Sequence, residues 1–154
     1  MSESASIPIQ FQTNQPHRIL VVEPDPFLLH FSAEVLIRQG YEVNATEDAA
    51  TAWEELQAIN YNLLITDYKL PKITGIGLIK KLRAARLALP VVLVAEKLPT
   101  QQLAKLPPLQ PAVMLLKPIA ADALLDTVKT VLRVASSPLD RLEARANIIT
   151  PMPQ

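Results

Sequence analysis

The stretch Asn62-Leu-Leu-Ile-Thr-Asp67-Tyr-Lys-Leu-Pro71-Lys-Ile-Thr-Gly75 decides how the chain folds. Four apolar or β-branched residues run straight into Asp67, with Pro71 four places on and Gly75 eight places on. An uninterrupted apolar run of that length suits a strand covered on both faces, as in a parallel sheet. Asp67 then stands at the carboxyl end of the strand, where open α/β sheets place their ligands. A carboxylate there is either a loop cap or a chemical handle, and the other strands decide between them.

Outward from this stretch, the pattern is strand then helix, five times over. Arg18–Val22 reads as a first strand, followed at once by Glu23-Pro24-Asp25-Pro26. Asp25 can cap free N–H groups and Pro26 tolerates a first helical position, so a helix is expected to Gln39, closed by Gly40. Its inner stripe is Leu28, Phe31, Val35 and Leu36. Tyr41–Ala45 alternates like an edge strand, and Asp48 caps a helix running to Ile59 with Ala52, Trp53 and Leu56 inward. After the Asp67 strand, Thr74 caps a helix to about Arg86, although Gly77 should cost roughly 1 kcal/mol against Ala.

Val91–Ala95 is another fully apolar strand, and Pro99–Lys105 reads as a short helix stopped by Pro107, Pro108 and Pro111. Ala112–Leu116 is the fifth strand, ending in Lys117-Pro118. The last helix spans about Ala121–Val134, with Leu124, Leu125, Val128, Val131 and Leu132 inward. With helices as right-handed crossovers on both faces, the expected fold is an α/β doubly wound parallel sheet. Residues 1–17 read as a flexible leader, 18–135 as the domain, and 136–154 as a tail with a short amphipathic piece (Leu139, Leu142, Ala146, Ile149).

Composition narrows the function classes. At 154 residues and 49% apolar content, a single domain can bury a real core. No apolar run has the length of a membrane span, and Met1–Asn14 lacks a basic-then-apolar export pattern, so a cytoplasmic protein is expected. The absence of cysteine excludes disulfides and thiolate chemistry. Fifteen basic residues balance fifteen acidic ones without a basic block, giving nucleic-acid binding little support. Gly75-Ile-Gly77 lacks the third glycine of a dinucleotide fingerprint and follows the third strand, not the first. His17, His30, Glu54, Glu55 and Trp53 read as leader, surface and core residues.

At the strand ends stand Glu23, Asp67, Ala95 and Lys117, so two carboxylates and one lysine converge on a single edge. Here the chain resembles the receiver domain of two-component response regulators, over about residues 18–134. The residues that carry the resemblance are Ile19-Leu-Val-Val-Glu23, Asp67-Tyr-Lys-Leu-Pro71 with Gly75, Leu89-Pro90-Val-Val-Leu-Val, and Lys117-Pro118. It implies a flavodoxin-like sheet of order 2-1-3-4-5 and phosphoryl transfer from a histidine kinase to an aspartate, matched by Asp67. It also implies a Mg²⁺ held by paired acidic residues after the first strand together with the acceptor, and a lysine, Lys117, on the phosphoryl oxygens.

The sequence departs from that pattern. The second acidic position is Pro24, which has neither carboxylate nor N–H, so only Glu23 and Asp67 of the metal set remain. The hydroxyl relay after the fourth strand is Ala95, and the usual aromatic switch position is Met114. Asp25 reads as a helix cap; the competing reading makes it a substitute carboxylate. Glu23, Asp67 and Lys117 sum to −1, and Lys69 is a candidate to bring the cleft to neutrality without metal.

The leading reading is a non-enzymatic signalling module acting by protein–protein contact, with a histidine kinase or other signalling protein as partner. By resemblance the contact surface includes Gln101, Gln102, Lys105, Met114 and the outer face of the last helix. Asp67 is then either phosphorylated through an incomplete Mg²⁺ site or left unmodified in a pseudo-receiver. Loss of both carboxylate and hydroxyl favours the second. The rival class is a small flavodoxin-like cofactor-binding protein or hydrolase, and a third reading is a homodimer built through the tail.

Overall fold

The computed structural model describes residues 15–97 and 113–136. The first strand, β1 (Arg18–Val22), is followed by α1 (Pro26–Arg38), β2 (Glu42–Thr46), α2 (Ala49–Ala58) and β3 (Leu63–Asp67). Then come α3 (Gly75–Ala84), β4 (Val91–Ala95), β5 (Val113–Leu116) and α4 (Ala121–Ser136). The helix expected over Pro99–Lys105, the contact residues Gln101, Gln102 and Lys105, and the amphipathic piece from Leu139 to Ile149 lie outside the described residues. So does most of the leader.

All strand pairs are parallel, in the order β2-β1-β3-β4-β5. This is the doubly wound order that the strand–helix alternation and the resemblance led us to expect. Strand parity sorts the core into two layers. Ile19, Val21, Leu63, Ile65, Val92 and Val94 pack with Leu36 of α1 and Leu124, Val128, Val131 and Leu132 of α4. Leu20, Val22, Leu64, Val91 and Leu93 pack on the other face with Ala52 and Leu56 of α2 and Ile76, Leu78, Ile79 and Leu82 of α3. Both β3 and β4 are buried at every position, as their apolar runs require. Each fully buried Leu or Ile contributes about 1.5–3 kcal/mol relative to exposure.

The helix starts follow the capping residues. Asp25 accepts from the Phe27 and Leu28 amides, Asp48 from Thr51, and Thr74 from Gly77. Gly40, at φ +97°, turns the chain out of α1 toward β2. The end of α3 falls at Ala84, short of the expected Arg86, because Arg86 sits in the left-handed region at φ +62°. Arg83 then fastens the exit loop by donating to the Leu87 and Leu89 carbonyls, 2.9 Å each.

Candidate functional site

Parity also aims the side chains at the carboxyl edge. Glu23 continues the alternation of Ile19 and Val21; Asp67 continues Leu63 and Ile65; Lys117 continues Val113 and Leu115. All three therefore belong to the α1/α4 side of the sheet. The ladder runs on far enough to fix them: Glu23 donates its amide to the Thr46 carbonyl at 3.0 Å, and Lys117 donates its amide to the Ala95 carbonyl at 2.9 Å. Backbone bonding thus delivers each functional residue one step past the hydrophobic part of its strand.

The Lys117 Nζ stands 3.1 Å from Glu23 Oε1 and 3.1 Å from Asp67 Oδ1. Glu23 and Asp67 are 7% and 6% exposed, so the ammonium bridges two carboxylates largely withdrawn from water. Burial pushes the Asp67 carboxyl above the ordinary aspartate range, with Lys117 acting in the opposite direction. Burial likewise raises Glu23, opposed by the Asp25 amide and by Lys117, with the Asp67 charge adding to the rise. For Lys117, burial works against the ammonium, but the two carboxylates outweigh it and its pKa is raised.

The second oxygen of Glu23 is also engaged. The Asp25 amide donates to Glu23 Oε2 at 3.0 Å. Asp25 itself caps α1, as its position before Pro26 suggested, and its Oδ1 is taken up by the Phe27 and Leu28 amides. The three amides at this turn are therefore spent within the chain. A phosphate cradle of the kind that a cofactor binder builds at a helix N-terminus has no donors here.

Lys69 lies exposed on the loop, and among the described residues it forms no ion pair within 4 Å, so it does not join the Asp67 cleft. Ala95 is buried and contributes its carbonyl, not its side chain. Met114 registers with Leu93 and packs half-buried on the α2/α3 layer, on the opposite side of the sheet from Lys117. Gly75 has a local reason of its own: its amide bonds the Tyr68 carbonyl at 2.7 Å, and a Cβ there would strike the Asp67 carbonyl oxygen and lie 2.9 Å from Leu93 Cδ1. Only glycine lets α3 start this close to β3.

The donor set does not fit a family-type Mg²⁺. That ion demands several oxygens in near-octahedral geometry. Both Glu23 oxygens and one Asp67 oxygen are already engaged, and Pro24 offers none. Among the described residues, no group of three or more His, Cys, Asp or Glu residues is placed to hold a metal.

Sequence reasoning missed a groove of about 480 Å³ that opens beside the cleft. Its walls are Phe27, Leu28 and Phe31 of α1 against Pro118 and Ile119, and its inner end is Glu23 and Lys117. Phe27 is 78% exposed, and Glu96 adds a carboxylate at the wall. The only sequence signal is the Phe27/Phe31 spacing, which places both rings on one side of α1.

The comparisons with known proteins agree with this architecture. The Response regulator receiver domain family matches residues 19–129. The response regulator receiver protein CpdR of Brucella abortus is 36% identical over 64 residues, covering 42% of this chain and 53% of that protein. The chemotaxis protein CheY1 of Helicobacter pylori is 38% identical over 69 residues, covering 44% of this chain and 56% of that protein. This chain thus spans about half the length of these curated relatives. The crystal structure of a CheY-like receiver domain protein from Methanospirillum hungatei shares the fold, with TM-score 0.74, 24% identity, and coverage of 79% of this chain and 97% of that one. No helix among the described residues is long and apolar enough to cross a membrane. The chain belongs to the response regulator receiver domain family.

Proposed function

We propose that this receiver domain signals by contact with another protein of a two-component pathway, a histidine kinase or a downstream target, and that it works as a pseudo-receiver. Asp67 is the residue in the acceptor position, and Lys117 already pairs with it. The observation that carries this reading is that Pro24 and Ala95 stand where the family resemblance implies a second acidic residue and a hydroxyl, beside a cleft bridged by Lys117. A phosphoryl group arriving at Asp67 would have to displace Lys117 from that bridge. It would then find no hydroxyl at Ala95 to register its presence and no second acidic residue at Pro24. Receiver domains are non-enzymatic modules as a class, and no turnover is assigned to this one.

The groove supports control by binding. Glu23 and Lys117 belong to both groove and cleft, so a partner residue seated against Phe27 and Phe31 touches the same bridge that holds Asp67. A second reading, slow phosphorylation of Asp67, is favoured by the Asp67–Lys117 contact itself, since an acceptor site also places a lysine on its aspartate. Incubation with a small phosphodonor and Mg²⁺, followed by intact mass, separates the two. We expect no adduct; an adduct abolished by Asp67→Asn overturns the pseudo-receiver reading.

A further inference from the structure

We propose that the cleft is a closed, lysine-bridged carboxylate pair that takes no divalent cation, and that Glu23 is a positioning residue for Lys117 instead of a metal ligand. This rests on the Asp67 cleft being the functional centre of the receiver, and it states how that centre is held.

The case begins with the oxygens. Glu23 Oε1 receives the Lys117 ammonium, and Oε2 receives the Asp25 amide. Asp67 Oδ1 receives the same ammonium, which leaves Asp67 Oδ2 as the oxygen of the pair engaged by neither Lys117 nor the Asp25 amide. Pro24 occupies the position where the family resemblance implies a further carboxylate, and Asp25, the next acid along, is turned into the N-terminus of α1. Of the bridged pair, a divalent ion entering here meets one carboxylate oxygen outside the bridge, with Glu96 at the groove wall, and meets it beside an ammonium. It must displace Lys117 from both partners to gain more.

The Lys117 backbone is pinned to β4 through the Ala95 carbonyl at 2.9 Å, and its side chain is only 16% exposed. Glu23 is held from the other direction by the Asp25 amide, so its carboxylate presents Oε1 toward the ammonium. The resident ammonium offsets one of the two carboxylate charges, which weakens the attraction a divalent cation would otherwise meet in this cleft. Restoring the absent carboxylate, or removing the resident cation, should therefore create a metal site where the natural chain has none.

The full chain, labelled with ¹⁵N, is titrated with Mn²⁺ as paramagnetic probe and read by broadening of the Asp67 and Tyr68 amides. The natural sequence is expected to show no saturable broadening into the millimolar range. Pro24→Asp, and separately Lys117→Ala, are expected to gain it with affinity at least about tenfold higher. Saturable broadening in the natural sequence, or a gain in neither folded variant, overturns the proposal. The phosphodonor experiment stays independent: an Asp67 adduct without Mn²⁺ binding removes the pseudo-receiver reading alone, and Mn²⁺ binding without an adduct removes only the present one.

Discussion

The amide of Asp25 donates to Glu23 Oε2 at 3.0 Å, so the residue that caps α1 also steadies the carboxylate that anchors Lys117. The two jobs use different atoms. The cap uses the Asp25 side chain, and the anchor uses its backbone.

Substitution can separate them. Asp25→Ala removes the side-chain bonds to the Phe27 and Leu28 amides and should lower stability by about 1 kcal/mol. Asp25→Asn keeps an oxygen there and should stay within about a few tenths of a kcal/mol, because Asp and Asn cap helices about equally well. Both leave the amide in place, so the Lys117 side-chain resonances should not move. Urea denaturation with Lys117 NMR checks this, and a shifted Lys117 signal in Asp25→Asn would refute the separation.

Lys117→Ala leaves Glu23 and Asp67 facing each other without a cation. Truncating one partner of a buried ion pair costs about 3–5 kcal/mol; the 16% exposure of the lysine side chain reduces this to about 1–3 kcal/mol. Lys117→Met, of similar length but uncharged, should be no better. Chemical denaturation at neutral pH measures both, and a variant as stable as the parent would show that the bridge contributes nothing.

The sheet was legible because its residues leave little choice. The unbroken apolar runs of β3 and β4 cannot sit on a half-solvated sheet, and Asp25, Asp48 and Thr74 each stand just ahead of a helical pattern. Their places just past the strand ends were enough to bring Glu23, Asp67 and Lys117 to one edge. The groove was not legible, since Phe27 and Ile119 lie on elements far apart in sequence and no local pattern encodes a gap between packed elements. Nor was the second bond to Glu23, because a backbone donor carries no residue signature. Lys69, two residues from Asp67, looked within reach, but the loop carries it into solvent. The cluster in which Asn44 donates to the Tyr61 hydroxyl at 2.6 Å, and that hydroxyl to Glu55 at 2.7 Å, was likewise hidden, with Glu55 read as solvated.

The raised pKa of Glu23 fixes the sign of a pH effect. A carboxyl whose folded pKa lies above its unfolded value binds its proton more tightly in the folded chain. Its contribution is fully present below the unfolded value of about 4.5 and is lost as pH rises through the higher folded value. Glu23→Gln abolishes that dependence. The stability of the natural chain minus that of Glu23→Gln should therefore fall as pH rises above about 4.5, measured by urea denaturation at several pH values. A difference that grows with pH would contradict the burial-dominated environment of Glu23.

Two glycines of α3, two residues apart, should respond in opposite directions to the same substitution. At Gly75 a Cβ meets the Asp67 carbonyl oxygen and Leu93 Cδ1, backbone and core atoms that cannot step aside without moving β3 or β4. Gly75→Ala should cost about 1–3 kcal/mol by overpacking, and it should shift the Asp67 and Lys117 resonances because the strain falls on β3. At Gly77 the nearest atoms to a Cβ are 3.5 Å or further, an ordinary contact with Ile73 and Thr74, and the backbone is already helical. Gly77→Ala should therefore stabilise the domain by about 0.5–1 kcal/mol through helix propensity and a less flexible unfolded chain. Thermal and urea denaturation of the two variants give the comparison directly. Equal effects would mean that the close approach of α3 to β3 at Gly75 is not what requires glycine there.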